Sequence, residues 1–207
     1  MQAAVRTIGL DIAKSVFQVH GVDVDGQVVI RRRLKRGYVL AFFEKVPPCL
    51  VGIEACATSH HWSRELQVLG HRVRLMPPAY VKPYVKRQKN DAADAEAICE
   101  AVTRANMRFV ETKTAGQQSC LVLHRTRHLF IRQQTSVINA IRAHLAEFGI
   151  VAPVGRKGVE QLFDVVASTK DQRIPEVARA CVAALGAQLR ALKAQILDFE
   201  LSGLKWR

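Results

Sequence analysis

No stretch of this 207-residue chain approaches the ~20 consecutive apolar residues of a membrane-spanning helix. The N-terminus lacks a secretory-signal pattern, so the expected location is cytoplasmic, at the nucleoid when acting. Cys49, Cys56, Cys99, Cys120 and Cys181 are an odd number and contain no C-x-x-C pair. That argues against a zinc site and against a disulfide framework, and leaves reduced thiols. Acidic residues are also scarce. Eighteen Asp plus Glu stand against 31 Lys plus Arg, a formal net charge of +13. A surplus of that size suits a polyanionic partner, and without a membrane segment the expected polyanion is nucleic acid.

What the chain does contain is 49% hydrophobic residues, enough to bury the core of one sizeable domain with an appendage. Val5 to Ile12 reads as a strand carrying Asp11. Ser15 to Val22 reads as a second, with Phe17 and Val19 in alternation, and Asp25-Gly26 as a turn into a third, Gln27 to Arg33. Tyr38 to Lys45 reads as a helix ended by Pro47-Pro48. The continuous apolar run Cys49 to Ile53 suits a strand buried on both faces, and it delivers Glu54 at its end. A helix from about His60 to Leu69 closes at Gly70, and His71 to Met76 is another strand. Pro77, Pro78 and Pro83 predict irregular chain up to Asn90, a good N-cap for the Ala-rich helix that follows. The order β-β-β-α-β-α-β-α predicts an α/β domain of the RNase H-like fold over residues 1–115, a mixed sheet with flanking helices.

Asp91 and Asp94 are three residues apart and share a face of that helix's first turn. Lys82, Lys86, Arg87 and Lys89 precede them as a basic approach. Acids in a first turn also complement the helix dipole, and for this pair alone that explanation stands beside the functional one. Asp11 and Glu54 change the balance, because their strands are neighbours in an RNase H-like sheet. Four hard oxygen donors from three elements suit two Mg²⁺ or Mn²⁺ ions bridging a scissile phosphate. His60 and His61, near Glu54, are either proton-transfer or phosphate-contacting groups, or one packed and one exposed ring. Trp62 reads as core.

Beyond about Gly116 the pattern becomes helical. Residues 116–152 read as a long basic amphipathic helix packing on the first domain, with Ile131, Ile138, Ile141, Leu145 and Phe148 on one side. Arg125, His128, Arg132, Ser136 and Asn139 repeat on the other. Arg125 and Arg132 are candidate phosphate contacts, the alternative being a solvated face. Pro153, Gly155 and Gly158 suggest a domain edge within 149–158. In the helical segment 153–207, Ala178, Val182, Leu185, Leu189, Leu192, Ile196 and Phe199 step by four and three, a heptad seam. That seam serves an intermolecular coiled coil, giving a dimer or dimer of dimers, or the core-facing side of a bundle helix.

Four separated motifs carry a family resemblance: Ile8-Gly9-Leu10-Asp11-Ile12-Ala13-Lys14, Ile53-Glu54-Ala55-Cys56, Ser59-His60-His61-Trp62, and Met76-Pro77-Pro78 through Lys89-Asn90-Asp91-Ala92-Ala93-Asp94-Ala95. In this order they resemble the DEDD transposases of insertion sequence family one-hundred-and-ten, over roughly residues 5 to 150. The resemblance implies that Asp11, Glu54, Asp91 and Asp94 are the catalytic, metal-holding quartet of a RuvC-like domain followed by a coiled-coil segment. It implies a transposase or site-specific recombinase that cleaves and exchanges DNA strands, guided by a structured bridge RNA. It also implies a serine nucleophile on a second, C-terminal domain. The chain ends before that domain is expected, Ser202 lies in no matching motif, and the fragment alone is expected to be inactive. Ala57-Thr58 depart from the glycines usual after the acidic motif. Two rival readings are a RuvC-like junction nuclease using the same quartet without a serine, and a non-catalytic nucleic-acid-binding dimerisation module.

Overall fold

A computed structural model describes residues 4–85, 91–168 and 171–205, with the side chains of 91, 92 and 201–205 outside the description. The chain divides into two compact units, 1–115 and 116–207.

In the first unit, β1 (Thr7–Ile12), β2 (Val16–Val22) and β3 (Val28–Lys35) form an antiparallel meander. The parallel strands β4 (Leu50–Glu54) and β5 (Arg72–Met76) add on the other side of β1. The sheet order is β3-β2-β1-β4-β5, the mixed RNase H-like arrangement expected from the sequence. Helices α1 (Val39–Phe43), α2 (Ser59–Val68), α3 (Pro78–Val81) and α4 (Asp91–Ala101) flank it.

Local chemistry explains the connections. The β2–β3 turn closes because the Asp23 carboxylate accepts the Asp25 and Gln27 amides at 3.0 and 2.8 Å, while Gly26 takes φ 79°. Helix α2 ends in a Schellman cap: Gly70, at φ 87°, donates to Gln67 and His71 donates to Leu66. The stretch after Pro77 departs from the irregular chain expected. Pro78 opens α3 and Pro83 lies in a 3₁₀ turn over Lys82–Tyr84. Proline at a first helical position loses no hydrogen bond and has its φ already set, so these prolines start turns rather than prevent them.

Strand alternation sorts the sheet into two faces. Ile8, Leu10, Phe17, Val19, Val51, Ile53, Val73 and Leu75 pack with Val39, Phe43, Trp62 and Leu66 of α1 and α2. The opposite face carries Gly9, Asp11, Gly52 and Glu54, and α4 lies on it. Its two glycines admit that helix. A Cβ on Gly9 would stand 2.1 Å from the Ala95 carbonyl oxygen, and one on Gly52 would stand 2.8 Å from the Val102 Cβ.

The second unit comprises α5 (Ala115–Ala146, from its second residue), α6 (Arg156–Ala167) and α7 (Glu176–Lys205). Residues 149–155, between α5 and α6, form a bend. Gly149, at φ 71°, and Ile150 form a Schellman cap on α5, and buried Ile150 shares a core with Leu145, Val159 and Leu162. Arg142 ties the bend down by donating to the Ala152 and Pro153 carbonyls at 2.9 and 2.7 Å. The heptad seam packs into this same core: Val182, Leu189 and Leu192 are buried in one cluster with Val137, Ile141 and Val166. Gly186 leaves room for the Phe163 ring, whose Cε1 lies 2.6 Å from where a Cβ would be. Of the seam residues, Leu189 and Leu192 are buried within the chain, Leu185 packs against them, and Ile196 is half-buried. The basic side of α5 stays open, with Arg125, His128 and Arg132 exposed.

Candidate functional site

The sheet places two of the expected carboxylates side by side. Parallel pairing of β1 and β4 runs through Leu10↔Ile53, and Asp11 and Glu54 are the next residue on each strand, on the face that α4 covers. Both are half-buried. Helix α4 runs against β1 so that Ala95 and Cys99 meet Gly9, and the Cys99 thiol reaches the Thr7 carbonyl at 3.7 Å. Its N-terminal turn, with Asp91 first and Asp94 half-buried, consequently lies toward the Asp11 end of β1. Asp91 begins the helix, but its side chain is outside the described residues, as are Lys86, Arg87, Lys89 and the expected cap Asn90. Lys82 is exposed on the 3₁₀ turn.

The donor chemistry, carboxylate oxygens only, fits Mg²⁺ or Mn²⁺ rather than zinc. Among the described residues no three His, Cys, Asp or Glu side chains are grouped closely enough to hold a metal ion, so the described side chains alone do not make a complete site.

The turn after Glu54 is held by a serine. The Ser59 hydroxyl accepts the Cys56 amide at 3.2 Å and donates to the Cys56 carbonyl at 3.0 Å. It locks 56–59 at the start of α2. Buried Trp62 packs edge-on to Phe17 at 4.9 Å, and the Arg36 guanidinium sits 5.2 Å from its ring.

His60 is drawn into a clasp that nothing in the local sequence announces. Its Nδ1 accepts the Lys113 amide at 3.1 Å, Arg64 donates to the Lys113 carbonyl at 2.6 Å, and the Ser63 and Thr112 hydroxyls meet at 2.6 Å. Three residues of α2 thereby hold residues 112–113. Burial, then Lys113 and Arg64 beside it, hold His60 below its ordinary value of 6.5. The folded protein binds this proton less readily than the unfolded chain. The contribution to stability is therefore whole above 6.5 and is lost as pH falls toward the lowered value. Amide-exchange protection of Lys113, corrected for intrinsic exchange, should drop on acidification below that point and become insensitive to pH in His60→Gln. Protection that stays constant to pH 5 in the parent would refute the clasp's dependence on a neutral ring.

A second histidine, His71, is buried and satisfied: Nδ1 accepts the Cys49 amide at 3.3 Å and Nε2 donates to the Phe43 carbonyl at 3.1 Å. Burial pushes the Cys49 and Cys99 thiols up to about 11, so both stay protonated and inert.

The fold and the site together define a domain of the RNase H-like class, with Asp11 and Glu54 near the ends of neighbouring central strands and the first turn of α4 toward the same end. Residues 8–150 match the DEDD transposase family of IS110, and the chain belongs to that family. It is 48% identical over 93% of its length to a probable family 20 transposase of Pseudomonas aeruginosa, covering 57% of that protein. It is 49% identical over 95% of its length to putative transposase y4pF/y4sB of Sinorhizobium fredii, covering 51% of it. Similarity extends to the transposase for insertion sequence element IS1111A of Coxiella burnetii, 41% identical over 74% of this chain and 42% of that one. The chain thus spans about half the length of the curated relatives it matches. Among the described residues no helix is long and apolar enough to cross a membrane.

Proposed function

We propose that this chain is the carboxylate-bearing part of a transposase that cleaves and exchanges DNA strands of an insertion sequence, with a structured bridge RNA as guide. Asp11, Glu54, Asp91 and Asp94 hold Mg²⁺ or Mn²⁺ in this reading. The observation that supports it most is the shared face: Asp11 and Glu54 follow the same registered strand pair, under the helix whose first turn bears the other two acids. A bound divalent ion supplies Lewis-acid stabilisation of charge on the scissile phosphate. The chain's own part is to fix four hard donors from three elements and to attract the polyanion. Lys82, Lys86, Arg87 and Lys89, which precede α4 in the sequence, and Arg125 and Arg132 on α5, are the cations assigned to phosphate contact. The serine nucleophile belongs, in this reading, to the half of the relatives' length that the chain does not span. Assembly into a dimer or dimer of dimers belongs to the reading too.

The test is thermal. A metal that binds only the folded site at a hundredfold excess over its Kd adds about 2.7 kcal/mol, so Mg²⁺ should raise the melting temperature of the first unit by several degrees. Asp11→Asn should weaken that response, and alanine at all four positions should abolish it. Equal stabilisation of the parent and the quadruple variant would remove the metal site from the proposal.

A further inference from the structure

At the other end of the same sheet face is a cleft of about 750 Å³, open to solvent and rich in arginine. Its floor is the start of three adjacent strands, where Thr7 pairs with Leu50 and Leu50 with Arg72. Thr7 is four residues from Asp11 along β1, roughly 13 Å away in an extended strand. The cleft is therefore separate from the carboxylate end.

Arg6, Arg72, Arg74 and Arg104 line it, as do Asp23, Glu96 and Glu100. The acids have partners of their own. Asp23 accepts two amides of its turn, Glu96 lies 3.9 Å from Arg31, and Glu100 is bonded by Arg104. Arg6 and Arg72 are exposed and enter no ion pair among the described residues. Arg6 directly precedes β1 and Arg72 begins β5, the two strands that flank β4, about two strand spacings or roughly 10 Å apart, within joint reach of one phosphodiester or two successive ones. Arg74 points the same way as Arg72, from the same strand face, and its guanidinium stacks 5.0 Å from the centroid of the Phe109 ring. Phe109 is 37% exposed at the cleft wall. A solvent-facing aromatic ring backed by a cation, beside two uncommitted guanidinium groups, is what a splayed base and its phosphate need. Duplex DNA buries its base faces in the stack and cannot offer them to such a ring.

We propose that this cleft binds a single-stranded nucleic-acid segment, holding its phosphodiester with Arg6 and Arg72 and stacking a base on Phe109. It goes beyond the proposed strand-cleaving role, since it requires neither metal nor the carboxylates.

The test uses the full chain in EDTA, which separates its outcome from that of the metal site. Fluorescent 12-nucleotide single-stranded RNA, the same sequence as single-stranded DNA, and the DNA duplex are titrated at several salt concentrations. Arg6→Gln with Arg72→Gln should weaken single-strand binding at least tenfold. It should also flatten the slope of log affinity against log salt by about 1.4, the value for two phosphate contacts on a single strand. Phe109→Ala should cost roughly tenfold with single strands and little with duplex, and Phe109→Tyr should restore affinity. The charge-matched control Lys45→Gln with Lys157→Gln, neither at the cleft, reports the loss expected from net charge alone. Loss confined to RNA assigns the cleft to RNA, and equal loss for RNA and DNA assigns it to either strand by phosphate and base. An arginine pair that loses no more than the control, or a Phe109→Ala that binds single strands like the parent, overturns the proposal.

Discussion

Gly9→Ala should destabilise the first unit by roughly 3 kcal/mol or more, at the upper end of overpacking effects. The reason is what the methyl group would strike. Besides the Ala95 carbonyl oxygen, it would stand 2.4 Å from the Cys99 amide nitrogen, and both are backbone atoms of α4. A side chain can rotate aside, whereas a helix backbone must move as a body. Any protein that folds despite the substitution should therefore hold the first turn of α4 away from Asp11, and its melting temperature should respond weakly to Mg²⁺. Gly52→Ala is expected to be milder because its closest contact is longer, 2.8 Å to the Val102 Cβ against 2.1 Å to the Ala95 carbonyl oxygen, although that Cβ too can yield only by a backbone shift. Gly37→Ala, facing open space with no left-handed φ, serves as the neutral reference. Urea unfolding of the three variants checks the ranking. A Gly9→Ala midpoint within error of Gly37→Ala would mean that α4 is not seated as described.

Leu189→Lys should unfold the helical unit, at a cost of roughly 3–5 kcal/mol for an unpaired charge at a core position. Leu189 is 1% exposed within the cluster that joins α5, α6 and α7. Leu197, 55% exposed on the same helix, should accept lysine with a change of about 0.5 kcal/mol or less. Hydrogen exchange distinguishes the outcomes. In Leu189→Lys the amides of α6 and α7 should lose protection while those of β1 and β4 keep theirs, since the two units have separate cores. A variant that keeps its helical protection and merely passes from dimer to monomer would show that the seam faces a second chain, and the intrachain packing would be wrong.

The β-β-β-α-β-α-β-α order could be read from the sequence because each signal in it is local. Alternating Phe17 and Val19, the unbroken Cys49–Ile53 run and the turn residues Asp25-Gly26 and Gly70 depend only on neighbours along the chain. The motifs around Asp11, Glu54, Asp91 and Asp94 were legible for the same reason, and the strand order followed from the fold class. Prolines misled where position within a turn mattered more than residue type, as at Pro78. The heptad from Ala178 to Phe199 was visible, but its partner was not. A period of three and four records that one side of a helix is covered, and burial against Val137 and Ile141 leaves the same trace as burial against another molecule. Tertiary structure alone decided that question. It also decided the clasp of His60 on Lys113 and the meeting of Arg6, Arg72 and Phe109, because side chains so far apart along the chain carry no periodicity that links them. Arg6 and Arg72 become neighbours only when strand register brings the starts of β1, β4 and β5 into one row.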